Sequence, residues 1–322
     1  MAIFLNRVVK RTISDIKSLK IQGARNVARA AMQALGAQAR SSKAKSTGAF
    51  FKELERTADA LAESRPTEPM MRNALEEALR RFFSEVGAVK PTSLSEARKQ
   101  VLDEVNSFEK RVEQSKKMIA KFGAERIPKG STILTHCHSS TVTAILKRAH
   151  KLGKKIKVIC TETRPLYQGH ITAKELSSAG IKTTLIIDSA IKSFMKDVDL
   201  VLVGADAINS SGELINKIGT ATLAFVAYEE ELKFYSAAEL FKFDPLTLWG
   251  TVEPIEERDR EEVANPRKFP KVEIKNPAFD VTPARHITAY ITEYGVVAPQ
   301  SLFALASKHF DMSNPYLTKR GK

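Results

Sequence analysis

The first 125 residues repeat the apolar spacing of amphipathic helices. Within residues 23–40, Val27, Ala31 and Leu35 recur every four positions and therefore share one side of a helix. We predict an all-helical N-terminal domain over residues 1–125. Similar spacing, interrupted by Pro66, Pro69 and Pro91, which end helices, is found in residues 49–63, 70–87 and 93–122.

The pattern changes after Gly130, where short runs rich in β-branched residues alternate with helical segments. Strands separated by helices indicate a parallel sheet with right-handed crossovers. We therefore predict an α/β chain in which residues 126–322 form a Rossmann-like, doubly wound, mostly parallel sheet domain. A GxGxxG motif does not follow the first run, so the sequence does not favour dinucleotide binding. The predicted strands lie within residues 131–136, 156–162, 183–188, 198–206, 232–239 and 286–292.

Composition and short motifs argue against disulfide-rich, membrane, secreted and zinc-binding classes of protein. The two cysteines, Cys137 and Cys160, are too few for a disulfide framework. No apolar run approaches the roughly 18 residues that a membrane span needs, and the first residues lack the apolar stretch of a signal peptide. No CxxC pair or HExxH helix offers zinc ligands. We expect a cytoplasmic protein with no membrane partner, no metal and no redox cofactor.

The positive charge is concentrated near the start of the chain. The formal net charge is +14, and residues 1–50 hold ten Lys and Arg against one acid, Asp15. Such a segment can bind nucleic acid, meet a phosphorylated small molecule, or form the solvated face of helices. Aromatic residues make up only 7% of the chain, which gives little support to a base-stacking surface. We do not expect a nucleic-acid partner.

Reactive and charged side chains follow several of the predicted strands. The carboxyl ends of parallel strands meet at one edge of the sheet, where open α/β sheets bind ligands. A thiol, a carboxylate, lysines and hydroxyls are therefore expected to converge there. They are residues 135–140 after the first strand, 162–165 after the second, 204–206 after the fourth, and Asn216, Lys217, Glu239 and Lys242 in the loops beyond.

Cys137 has two interpretations. A single cysteine at a strand end is usually a small buried hydrophobe. Here it opens a turn before a helix and stands between two histidines, and both features predict a lowered thiol pKa. We interpret His136 and His138 as orienting or packed residues, because a third metal ligand is not apparent. Asp206, in turn, can be a turn former or an acid beside the thiol.

The remaining candidates fit a phosphate. Ser139, Ser140 and Thr141 can cap a helix, and the free N–H groups of the same helix end can bind an anion. Lys217 and Lys242 can be ordinary surface residues or phosphate contacts. Taken together, the set suggests proton transfer on a phosphorylated substrate, in which a base takes a proton from one carbon and an acid returns one at its neighbour.

Six motifs resemble one superfamily. They are THCHSS (135–140), TETRPLYQGHITAKEL (161–176), GADAI (204–208), INKIGT (215–220), AAELFKF (237–243) and NPAFDVTP (276–283). The superfamily joins the α, β and δ subunits of translation initiation factor 2B, methylthioribose-1-phosphate isomerase and archaeal ribose-1,5-bisphosphate isomerase. The resemblance covers nearly the whole chain. THCHS together with TETRPxxQG is most similar to the ribose-1,5-bisphosphate isomerases.

The resemblance implies an isomerase that makes ribulose 1,5-bisphosphate from ribose 1,5-bisphosphate in archaeal AMP salvage. It implies that Cys137 accepts a proton and Asp206 donates one, through an enediolate-type intermediate. It further implies a hexamer built from dimers, with AMP as activator. The implied substrate contacts are Gln22, Gly23, Ala24, Arg25, Arg65, Ser139, Ser140, Thr141, Asn216, Lys217 and Lys242.

Two positions depart from the pattern of the family's isomerases. Gln22 stands where these enzymes usually carry Arg, and Ser140 stands where they can carry Lys. Two fewer cations weaken the binding of a doubly phosphorylated sugar, although Arg25 could replace the first. The substrate therefore stays open, with methylthioribose 1-phosphate as another possibility. The functional alternative is a non-catalytic initiation-factor-2B-like protein that binds nucleotides or translation factors.

Overall fold

The computed structural model describes residues 5–83, 91, 93–310 and 312. The chain divides between Gln114 and Ser115 into two compact units. This division falls inside a long helix, whereas the sequence places the domain boundary at the end of that helix, where the helical pattern stops. In the part of the chain that the structure describes, no helix is both long and apolar enough to cross a membrane.

The first unit is built from helices, as the apolar spacing predicts. The predicted stripe is buried in α2, where Val27, Ala31 and Leu35 are almost fully covered. Asn6 and Ser46 accept a backbone N–H bond at the starts of α1 and α3, which satisfies otherwise unpaired donors. Residues 84–87 of the predicted helix 70–87 lie outside the described residues. The helices are α1 (Arg7–Lys17), α2 (Ala24–Ser41), α3 (Thr47–Ala62), α4 (Pro69–Phe83) and α5 (Leu94–Arg126).

The second unit alternates strands and helices, and every strand predicted from an apolar run is present. Its helices are α6 (Ser140–Lys151), α7 (Gln168–Ser178), α8 (Ile191–Phe194), α9 (Thr220–Glu229) and α10 (Leu302–Ala306). Its strands are β1 (Thr132–Thr135), β2 (Lys157–Thr161), β3 (Lys182–Ile186), β4 (Leu200–Val203), β5 (Ala207–Ile208), β6 (Leu214–Lys217), β7 (Lys233–Ala237), β8 (Phe279–Thr282), β9 (Ala289–Thr292) and β10 (Gly295–Val297).

Seven strands form the main sheet, in the order β3-β2-β1-β4-β7-β9-β10. All neighbours are parallel except β10, which pairs with β9 antiparallel. Alternate residues of the central strands enter different cores. Leu134 packs in the core that includes Leu223 of α9, and Ile133 packs in the core that includes Ile145 of α6. Apolar cores on both faces of the sheet confirm the predicted doubly wound fold.

The strand order reverses between β1 and β4. Ile133 pairs with Val158 of β2 on one side and with Leu200 of β4 on the other. Connections that leave these two strands run to opposite faces, so a crevice opens at their carboxyl ends. The loops after β1 and β4 meet closely, since a Cβ added at Gly204 would lie 2.9 Å from the Cβ and Oγ of Ser139. Cys137 and Asp206 follow these two strands.

A second, three-stranded sheet has the order β5-β6-β8 and is antiparallel. It differs from the sequence prediction, which puts Asn216 and Lys217 in a loop. Both residues lie in β6, where Lys217 pairs with Phe279 of β8. This sheet follows β4 directly and therefore brings Lys217 back towards the edge that carries Asp206.

Candidate functional site

Cys137 is held in an uncommon backbone conformation. Its φ is 66°, in the left-handed region that a non-glycine residue seldom occupies. Its N–H donates to Thr163 Oγ1 at 2.9 Å, and its carbonyl oxygen accepts from Thr172 Oγ1 at 2.9 Å. Cys137 as a whole residue is half-buried. Both backbone polar groups of the turn are thus bonded to threonine hydroxyls from the segment 161–176.

The electrostatic environment of Cys137 contradicts the sequence prediction of a lowered pKa. Burial raises the pKa of the thiol to about 12, and the negative charges of Asp206 and Asp188 add to the rise. The positive charge of Lys217 opposes them. The flanking histidines supply no cation, because burial lowers the pKa of both His136 and His138. In the free protein the thiol is therefore protonated at neutral pH.

Lys217 and Asp206 face the thiol from the smaller sheet and from the loop after β4. Lys217 is 8% exposed, and its ammonium nitrogen lies 5.5 Å from the centre of the Phe279 ring. The N–H of Asp206 donates to the carbonyl oxygen of Ile215 at 3.0 Å, which ties this loop to β6. A thiol, a carboxylate and a buried ammonium therefore lie near one another, and partial burial strengthens the interactions between their charges.

Lys242 is also buried, and it supports the loop that carries Asp206. Its Nζ donates to the carbonyl oxygen of Ala205 at 2.6 Å and pairs with Glu239 Oε2 at 3.5 Å. Thr141 donates to Glu239 Oε1 at 3.4 Å. The role of Lys242 as a phosphate contact stays a prediction.

The hydroxyl residues lie at the amino end of α6. Ser139 is the N-cap and accepts from the N–H of Val142 at 3.4 Å, while Ser140 is exposed. Asn216 donates from Nδ2 to Thr220 Oγ1 at 3.0 Å. The amino end of a helix is a general anion-binding position, so this end of α6 suits a phosphate.

The other predicted contacts belong to the first unit. Gln22 Nε2 donates to the carbonyl oxygen of Leu19 at 2.8 Å. Gly23 has a φ of 82° and precedes α2, which begins with Ala24 and Arg25. Arg65 is buried and forms an ion pair with Glu68 at 3.2 Å. Their roles in binding stay predictions.

His136 and His138 are packed, as the sequence analysis interprets them. His136 has Nδ1 at 2.6 Å from Thr161 Oγ1 and Nε2 at 2.8 Å from the carbonyl oxygen of Ile218. His138 has Nδ1 at 3.1 Å from Thr172 Oγ1. Among the described residues, no three His, Cys, Asp or Glu side chains are grouped so that they could hold a metal ion.

Two acids that the sequence analysis passed over support the site. Asp188 accepts from the N–H groups of Thr163 and Arg164 at 2.8 and 2.7 Å. Asp280 accepts from the N–H groups of Gly219 and Ala221 at 2.7 and 3.1 Å, beside Lys217. Asp188 stands two residues after the end of β3, so the rule that identified Asp206 could have found it. Asp280 stands inside the motif NPAFDVTP, which offered a second signal.

The chain is similar to several known proteins of one superfamily. A family model described as the Initiation factor 2 subunit family matches residues 20–299. The ribose 1,5-bisphosphate isomerase of Methanocaldococcus jannaschii is 40% identical over 304 residues, which cover 94% of this chain and 96% of that enzyme. The methylthioribose-1-phosphate isomerase of Geobacter sulfurreducens is 37% identical, with 90% and 87% of the two chains covered. The crystal structure of translation initiation factor eIF-2B from Pyrococcus horikoshii OT3 is 30% identical, with a TM-score of 0.78 over 92% of this chain and 98% of that one.

Proposed function

The chain belongs to the Initiation factor 2 subunit family and is a sugar-phosphate isomerase, and we propose that it converts ribose 1,5-bisphosphate to ribulose 1,5-bisphosphate. The observation that carries the proposal is the grouping of Cys137, Asp206 and Lys217 at the crevice between β1 and β4. The curated relatives at about 40% identity favour this activity over the non-catalytic alternative.

The proposed reaction moves one proton from C2 to C1 of the sugar. Asp206, protonated, gives its proton to the ring oxygen as the bond between C1 and that oxygen breaks. Cys137, as thiolate, takes the proton from C2, which leaves an enediolate-type intermediate. Asp206 then removes the proton of the C2 hydroxyl, and Cys137 returns its proton at C1. The C2 oxygen becomes the carbonyl, and both residues recover their starting state.

The charges around Cys137 support this division of roles. Burial is the largest cause of the raised thiol pKa, and the negative charge of Asp206 adds to it. When the proton lies on Asp206, its negative charge no longer opposes a thiolate, and Lys217 stabilises that thiolate. Protonation of Asp206 thus removes one cause of the raised thiol pKa, while burial, the largest cause, remains.

The phosphate groups have candidate positions in the second unit. The amino end of α6, with Ser139, Ser140 and Thr141, suits one phosphate, and we assign the buried Lys217 as a phosphate contact on the resemblance. We assign substrate contacts to Asn216, Lys242 and the first-unit residues on the resemblance. Gln22 and Ser140 remove two cations relative to the family pattern, which keeps methylthioribose 1-phosphate as the competing substrate.

Turnover assays with three sugars test the proposal. Purified protein is incubated with ribose 1,5-bisphosphate, ribose 5-phosphate or methylthioribose 1-phosphate, with and without AMP. We expect turnover of ribose 1,5-bisphosphate to exceed that of the other two. Preference for methylthioribose 1-phosphate would correct the substrate, and no turnover of any sugar would overturn the isomerase.

We further propose that AMP activates the enzyme, that the enzyme serves AMP salvage, and that it assembles as a hexamer built from dimers. These features follow from the resemblance to the ribose-1,5-bisphosphate isomerases. Light scattering measures the mass of the particle, and the assays with AMP measure activation. A monomer in solution would contradict the proposed assembly.

A further inference from the structure

The turn at Cys137 is bonded to side chains at both of its backbone polar groups. Left-handed φ values are unfavourable for a residue with a Cβ, so such a turn persists only when its surroundings fix it. Thr163 accepts the N–H bond and Thr172 donates to the carbonyl oxygen, each at 2.9 Å. These threonines come from different places, the loop after β2 and the body of α7.

The bond to Thr163 belongs to a directed chain. The Nε2 of His136 lies 2.8 Å from the carbonyl oxygen of Ile218, which can only accept, so Nε2 carries the hydrogen. Burial keeps this ring neutral, and its Nδ1 therefore accepts from the hydroxyl of Thr161 at 2.6 Å. The hydroxyl of Thr163 has two acceptors in Thr161, Oγ1 at 3.3 Å and the carbonyl oxygen at 3.4 Å. Its lone pair is thus left for the N–H of Cys137.

Thr163 is itself fixed. It is buried, and its own φ of 61° is left-handed. Its N–H donates to Asp188 Oδ1 at 2.8 Å, so the carboxylate at the end of β3 holds the loop that holds Cys137. The series of hydrogen bonds ends at the carbonyl oxygen of Ile218, next to Lys217. A Cβ added at Gly219 would lie 3.2 Å from the ring of His136. The same ring therefore packs against the turn after the lysine.

The direction of the hydrogen bond from Thr172 is fixed by its neighbours in the same way. Its single hydroxyl proton goes to the carbonyl oxygen of Cys137, so its oxygen accepts from Nδ1 of His138 at 3.1 Å. The other nitrogen of His138 lies 3.9 Å from Glu175, which is bonded to Lys147 at 2.6 Å. His138 therefore orients the hydroxyl of Thr172 directly, and His136 acts on the hydroxyl of Thr163 through Thr161.

We propose that Thr163 and Thr172 are positioning residues that clamp the left-handed turn and thereby set the place of the Cys137 sulfur relative to Asp206 and Lys217. This role rests on the proposed function in so far as Cys137 transfers the proton. A sulfur that is displaced by about 1 Å can cost on the order of 10²-fold in rate, because proton transfer depends on close alignment. Neither threonine needs to touch the substrate.

The test compares valine and serine at each position. Thr163→Val and Thr172→Val remove only the hydroxyl, while Thr163→Ser and Thr172→Ser keep it. Thr57→Val is the matched control, because Thr57 is fully buried in α3 and its hydroxyl donates to the carbonyl oxygen of Glu53. Thermal unfolding, kcat and KM for ribose 1,5-bisphosphate are measured on each variant.

Thiol alkylation supplies a readout that does not need activity. Iodoacetamide is added to the protein without ligand, and mass spectrometry follows Cys137 and Cys160 separately. Cys160 is buried in β2 and serves as the internal control for general loosening. If the clamp holds the Cys137 thiol in its half-buried place, loss of a hydroxyl frees the thiol towards water and speeds its alkylation.

We expect each valine variant to lower kcat by about tenfold or more while KM changes less than about threefold. Serine should restore kcat to within about threefold of wild type, and alkylation should accelerate at Cys137 only. Thr57→Val should lower stability alone. Near-wild-type kcat in both valine variants, or serine variants as impaired as valine, would overturn the clamp.

Two controls separate the possible failures. If wild-type protein turns over no sugar phosphate, the proposed function fails, and the alkylation of Cys137 still decides whether the threonines hold it. Unchanged alkylation in both valine variants would then reject the clamp. If a valine variant does not fold, alanine takes its place, and the same comparison with serine applies.

Discussion

At the scale of single residues, the sequence predicts where Cys137 lies but not how it titrates. The position of Cys137 at the end of a strand can be predicted from the sequence, because apolar runs mark strands and the residue after such a run lies at the edge of the sheet. The pKa depends on burial and on the charge states of neighbours that are distant in sequence, such as Lys217 and Asp188. The clamp is equally hidden, since it joins Cys137 to Thr163 and Thr172 through a left-handed turn.

The raised pKa of Cys137 predicts the pH dependence of its alkylation. With a pKa of about 12, the thiolate fraction rises about tenfold per pH unit through pH 10. The rate constant with iodoacetamide should therefore rise without a plateau from pH 7 to 10. A free cysteine derivative, with a pKa of about 8.5, provides the comparison. A plateau below pH 9 for Cys137 would contradict the burial of the thiol.

The two cysteines should behave differently when they are replaced. Cys137→Ser should lower turnover of ribose 1,5-bisphosphate by about 10²-fold or more, because an alcohol is a far weaker acid–base group in this role. Cys160 packs in the core at 1% exposure, so Cys160→Ala should cost about 1 kcal/mol of stability and spare catalysis. Turnover and urea unfolding of both variants check this. Full activity in Cys137→Ser would exclude the thiolate mechanism.

At the scale of elements, long apolar strands are predictable and short polar ones are not. β4 is a buried apolar run and is found where the sequence predicts it. β5 has two residues, while β6 and β8 mix apolar residues with Asn216, Lys217 and Asp280. These strands form only because they pair with one another, and that pairing brings together residues 214–217 and 279–282. The pattern of apolar and polar residues within each of these strands does not indicate which strand it pairs with.

The start of α9 gives a prediction at this scale. Its N-cap, Gly219, has no side chain, and Asp280 accepts the N–H bonds of Gly219 and Ala221 instead. Asp280→Ala should lower the free energy of unfolding by about 1–2 kcal/mol. Glu273→Ala, whose side chain is 77% exposed, is the matched control and should change it by less than about 0.5 kcal/mol. Equal unfolding midpoints for the two variants would show that Asp280 is not a cap.

At the scale of the whole molecule, the fold and the family were predictable, because the second unit follows the order of a doubly wound sheet and the motifs fall at its carboxyl edge. Position within the fold explains why most candidate residues of the second unit meet there. Their contacts were less predictable, since Lys242 supports Ala205 and pairs with Glu239. The contact with Ala205 depends on the packing of the loops after β4 and β7, which are distant in sequence.

A buried acid makes the stability of the molecule depend on pH. Burial raises the pKa of Glu293 to about 7, and the charge of Glu239 adds to the rise. The unfolded chain releases this proton near pH 4.5, so stability is full below that pH and falls as pH rises to about 7, by at most about 3 kcal/mol. Glu293→Gln keeps an acceptor for the N–H of Leu240 without a charge.

The stability of Glu293→Gln relative to wild type should therefore increase between pH 4.5 and 7 and level off above. Urea unfolding at several pH values measures this difference. A constant difference across the range would mean that Glu293 titrates normally in the folded protein.

Replacement of Asp206 by asparagine tests the central claim most directly, because it removes the acid and keeps the shape. Turnover of ribose 1,5-bisphosphate is measured for Asp206→Asn and wild type, and calorimetry measures the binding of the same sugar. We predict a loss of about 10²-fold or more in turnover, because the proton donor is gone, with binding within about tenfold of wild type, because other residues hold the phosphates. Near-wild-type turnover in Asp206→Asn would contradict the Cys137–Asp206 mechanism.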